Sequence, residues 1–67
     1  MKDILTKREK EVFELLVLNK STSEIAECLG ISEKTVRNHI SNTMQKLDVK
    51  SRSQAVVELL KLGEISI

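Results

Sequence analysis

From Ser32 to Leu47 the chain reads SEKTVRNHISNTMQKL, in which apolar and polar residues alternate with a helical period. Advancing about 100° per residue from Glu33, the side chains of Val36, Ile40, Thr43, Met44 and Leu47 gather on one side, which is the expected core side. The opposite side carries Lys34, Arg37, Asn38, Ser41, Asn42 and Gln45, cations and amides with no carboxylate after Glu33.

Cap signals extend this reading to four helices. Ser or Thr followed three residues later by Glu or Gln can satisfy the free N–H groups of a helix start reciprocally. Three such pairs occur, Thr6 with Glu9, Ser21 with Glu24, and Ser51 with Gln54, while Ser32 caps without a partner acid. Stops are expected at Asn19 after Leu18, at Gly30, less favourably at Asp48, and at Gly63, residue types that tolerate the left-handed conformation to differing degrees. The expected helices cover residues 7–18, 22–29, 33–47 and 52–62 of a single all-α domain, residues 1–67. In the fourth, Ala55, Val56, Leu59 and Leu62 are expected toward the core. Val57 projects almost oppositely among Gln54, Glu58 and Lys61, so the apolar arc spans roughly 220° where one buried face needs little over 100°. A two-fold contact with a second copy through Gln54, Val57, Glu58 and Lys61 would cover it.

The second and third helices, joined by the tight turn Gly30-Ile31-Ser32, have the proportions of a DNA-binding helix-turn-helix. Ala26 lets the two cross closely, and Ile25, Leu29, Ile31, Val36 and Ile40 supply the contacts between them. A polar helix face is ordinarily only solvated surface. Here spacing, caps and the acid-free face agree at independent positions, and phosphates repel acids while Arg, Asn and Gln can read base edges. Major-groove recognition of double-stranded DNA is the expectation.

Composition narrows the alternatives. Sixty-seven residues with one aromatic, Phe13, and no proline favour packed helices without room for a separate catalytic cleft. No nucleophile-base set or glycine-rich phosphate loop can be assembled, so neither an enzyme nor a cofactor is expected. His39 is the lone histidine, without a ligand cluster, and no metal site is expected. Cys28, the lone cysteine, reads as a small inert core residue of a reducing cytoplasm. The longest apolar run, Leu15 to Leu18, is far too short to span a membrane. Net charge is only +1, yet residues 32–53 hold five bases against two acids, while residues 1–31 hold five bases against six acids. The positive charge is local to the expected reading segment.

The blocks LTKREKEVFELL, SEIAECLGISEKTVRNHI and KLDVKSRSQAVVELL together resemble the LuxR/GerE-type helix-turn-helix family over about Leu5 to Gly63. The resemblance implies a four-helix domain whose third helix enters the major groove and whose fourth makes a homodimer. It implies base contacts from Arg37, Asn38 and Ser41, and phosphate contacts from Ser32, Thr35, Lys46, Lys50, Ser51 and Arg52. It further implies a nucleoid-associated regulator of late sporulation and spore-coat genes in the mother cell, acting with RNA polymerase. Asn19 replaces the usual glycine and Ser23 a frequent lysine. Only four residues precede Leu5, so control by an attached sensor domain is not expected. The alternative expectation is a protein-interaction module that binds RNA polymerase or another regulator, similar to the C-terminal domain of a sigma factor.

Overall fold

The computed structural model describes residues 4–66; the extremes of the expected 1–67 domain, residues 1–3 and 67, lie outside the described residues. The fold is all-α, with α1 (Lys7–Val17), α2 (Thr22–Leu29), α3 (Glu33–Leu47) and α4 (Arg52–Lys61). α1 and α4 stop one residue short of the spans expected from sequence, because Leu18 and Leu62 are caps rather than helical residues.

Each start is held by a side-chain oxygen. Thr6 and Ser21 form full reciprocal boxes with Glu9 and Glu24. Ser32 accepts the Thr35 N–H at 3.1 Å. The third expected box is altered: Ser51 accepts the Gln54 N–H at 3.2 Å, but Gln54 Oε1 takes the N–H of Lys50 at 2.8 Å, one residue before the cap. The glutamine thereby also pins the α3–α4 connection.

The four stops share one geometry. Asn19 (φ 66°), Gly30 (φ 68°), Asp48 (φ 56°) and Gly63 (φ 74°) are all left-handed. In each case the next N–H reaches back five residues, Lys20 to Leu15, Ile31 to Ala26, Val49 to Met44 and Glu64 to Leu59, occupying a carbonyl that the helix leaves free.

Between these ends, Val12, Phe13, Ile25, Val36, Ala55 and Leu59 are fully buried, and Leu5, Ala26, Ile40 and Ile65 nearly so. Each of the larger side chains contributes about 1.5–3 kcal/mol by leaving water. α3 packs on all three other helices and so forms the axis of the molecule. Val36, Ile40 and Thr43 are buried on it as the periodicity requires, with Met44 and Leu47 half-buried. The buried Thr43 hydroxyl donates to the His39 carbonyl at 2.9 Å, which satisfies it without a tertiary partner.

Two core expectations are corrected. Leu62 is 47% exposed although its backbone is still right-handed, because Ile65, four percent exposed beyond the left-handed Gly63, fills the core instead. Cys28 is exposed on α2, since Ile25 and Ala26 already occupy the buried side of that short helix.

Candidate nucleic-acid interface

Because one side of α3 is committed to the core, its opposite side is fixed outward. Lys34, Arg37, Asn38, Ser41, Asn42 and Gln45 are all exposed. They run the length of the helix, offering two cations, three amides and a hydroxyl, the donors and acceptors that can address base edges and phosphates. Arg37 is not solitary: its Nη1 lies 3.6 Å from Glu33 Oε1 one turn earlier, both side chains being at least half exposed. That pair has a signal in the sequence, opposite charges four residues apart, which the reading above did not use.

At the N-terminal end of α3, Ser32 and the half-buried Thr35 sit together, their hydroxyl oxygens 2.9 Å apart. Both serve the cap while remaining beside the first free N–H groups of the helix. At the other end, Lys50, Ser51 and Arg52 are exposed around the start of α4. A groove lined by Ser41, Gln45 and Lys50, with the exposed Asp48 among them, joins this segment to the outer face of α3. The two expected groups are therefore contiguous across the α3–α4 connection.

Lys46 differs. Its Nζ donates to Glu9 Oε1 at 2.6 Å and reaches the Ile4 carbonyl at 3.3 Å, tying the end of α3 to the start of α1. Glu9 is only 3% exposed, and the same Oε1 accepts the Thr6 N–H at 2.9 Å. Burial pushes this carboxyl up, but the hydrogen bonds from Lys46 and Thr6 and the Lys46 charge outweigh it, leaving Glu9 below its ordinary value. Lys46, expected as a phosphate contact, therefore also anchors the fold, its ammonium taking two acceptors there while its side chain stays 37% exposed. Sequence offered no sign of this, since the partners are 37 residues apart.

On α4 the expected contact residues Gln54, Val57 and Lys61 are exposed and Glu58 is half-buried. Val57, 51% exposed, borders two shallow grooves, one shared with Gln54 and Glu58 and one with Leu16 and Val56. Its apolar surroundings thus extend onto the end of α1. His39 is half-buried beside the outer face. Among the described residues no group of His, Cys, Asp or Glu could hold a metal ion, and no helix is long and apolar enough to cross a membrane.

Comparison with known proteins gives this arrangement a lineage. The family described as "Bacterial regulatory proteins, luxR family" matches residues 3–59. The chain is 73% identical to the spore germination protein GerE of Bacillus subtilis (strain 168) over 66 residues, covering 98% of this chain and 89% of that protein. It is 52% identical to the transcriptional regulatory protein DegU of Brevibacillus brevis over 64 residues, but spans only 27% of that longer protein. A solved structure of the transcription factor GerE superposes with a TM-score of 0.95 at 63% identity, covering 97% of each chain.

Proposed function

This chain belongs to the luxR family of bacterial regulatory proteins and is a DNA-binding transcription regulator, and we propose that it reads the major groove with α3 as a homodimer. The observation that carries the reading is the outer face of α3, whose exposed residues are all cations, amides or hydroxyls beyond its first turn. Arg37, Asn38 and Ser41 contact base edges, with Lys34, Asn42 and Gln45 flanking them. Ser32 and Thr35 at one end, and Lys50, Ser51 and Arg52 at the other, hold phosphates and set the register.

The size of the molecule supports a dimer. Its longest extent is 29 Å, whereas successive major grooves on one side of a duplex are about 34 Å apart, so one copy spans a single half-site. Pairing through Gln54, Val57, Glu58 and Lys61 covers the exposed valine and sets two reading helices against an inverted repeat. The identity to spore germination protein GerE over nearly the whole chain supports a role linked to spores; control of late sporulation and spore-coat genes, with RNA polymerase as a further partner, extends that proposal.

Selection from a random duplex library, followed by fluorescence anisotropy across a salt series, tests the reading. Phosphate contacts release counterions and give a steep linear loss of log affinity with log salt. The expected outcome is an enriched inverted repeat and that steep slope. No enriched duplex and a flat profile would favour a module that binds a protein partner instead. Sedimentation on the selected duplex tests the dimer: Val57→Asp buries like charges at the axis and should leave one copy bound weakly where the parent binds two.

A further inference from the structure

Glu33 is the only acid within α3, and it stands at the end of the helix that the proposed function turns toward DNA. A first-turn acid favours the helix start, and an exposed ion pair one turn long adds little more, so the pairing with Arg37 at 3.6 Å bears chiefly on what the guanidinium can do. What the pair can do follows from the donors of arginine. A guanidinium has five N–H groups in a fixed fork, of which a guanine edge takes two. Arg37 can therefore serve a base and keep a contact to Glu33 together. A backbone phosphate takes the same two donors, but it also sets its own negative charge beside the Glu33 carboxylate, a repulsion that a base edge does not add.

Resting on the DNA-binding reading above, we infer that Glu33 is a specificity-determining residue, which positions Arg37 for a base edge and penalises its use on phosphate. Its main effect is on the wrong duplexes. Specificity arises by disfavouring the alternative as well as by favouring the match.

The experiment compares the full chain and Glu33→Gln on the library-selected duplex and on a length-matched random duplex, each across a salt series, and repeats both in an Arg37→Ala background. Glu33→Gln should tighten the random duplex roughly threefold, the scale of one exposed charge pair, and the selected duplex by less. The ratio between the two then falls, and the change in ratio disappears when Arg37 is alanine. Glu33 also sits in the first turn, where an acid favours the helix, so a small loss in melting temperature is expected; that loss cannot change a ratio of two duplexes measured on the same folded protein. A ratio unchanged by Glu33→Gln overturns the inference, as does a change of equal size without Arg37. If the parent itself shows no preference for any duplex, the proposed function falls and this inference with it.

Discussion

Two cations on one helix, Arg37 and Lys46, each pair with a glutamate, and the pairs behave as opposites. Arg37 and Glu33 are neighbours on the same helix, 3.6 Å apart, with side chains 55% and 50% exposed. Lys46 and Glu9 come from different helices, 2.6 Å apart, and the acid is nearly inaccessible. The exposed pair is screened, cheap to open and leaves a guanidinium available to a ligand. The other pair joins a buried acid to a lysine still 37% exposed, and that acid would be costly without its partner. One helix thus carries the same chemistry in the open at one end, where the proposed reading needs a free guanidinium, and as an anchor at the other. Depth decides which.

The sharpest way to break this contrast is Lys46→Ala. Glu9 would keep the Thr6 N–H but lose the ammonium, which should cost about 1–3 kcal/mol of stability. For a domain of this size that lowers the melting temperature by roughly 5–20 °C, readable by circular dichroism. Since the charge is engaged within the fold, the salt slope for the selected duplex should stay within the roughly 0.9 expected for one phosphate contact. A full-unit fall in slope with an unchanged melt would make Lys46 a phosphate contact rather than an anchor.

Acid should expose the same pair more gently. Glu9 is held below its ordinary value of 4.5, so the folded chain binds that proton less readily than the unfolded chain. Its contribution is fully present above pH 4.5 and is lost as pH falls from there through the lowered value. The exposed Glu24, also lowered by the Ser21 N–H and hydroxyl, titrates in the same direction. Denaturant melts between pH 6 and pH 3, at about one-unit steps, should show stability falling below about 4.5, and Lys46→Ala should flatten part of that fall. An equally steep profile in the variant would mean that Lys46 does not hold the Glu9 carboxyl down.

The exposed pair gives the smallest stability effect. Arg37→Ala should change the melt by no more than about 0.5 kcal/mol. Its consequence lies in recognition, where losing a bidentate base contact costs on the order of 1–3 kcal/mol of discrimination between selected and random duplexes. Equal loss on both would reassign Arg37 to phosphate.

How much of this was readable in the chain follows the same division between local and distant. Ser21 with Glu24 and Gly30 after Leu29 are decided within a few residues, so caps, stops and the outer face of α3 were legible in the sequence. Leu62 and Cys28 are exposed where core was expected, because helical phase says which residues share a side, but not which sides other residues already fill. Ile65 lies beyond α4 and belongs to no period. Lys46 was placed by resemblance alone, and its engagement with Glu9 required the tertiary fold.

The left-handed stops also bear on how so slight a core can suffice. A chain with one aromatic residue gains little per residue from burial, so the cost of closing it must be small. Each stop turns the backbone within a few residues, leaving only residues 18–21, 30–32 and 48–51 between helices. Closure entropy grows with the logarithm of loop length, and short, stiff connections forfeit little freedom beyond what their own capping bonds already fix. The connections therefore add little to the cost of closing α1, α2 and α4 around α3.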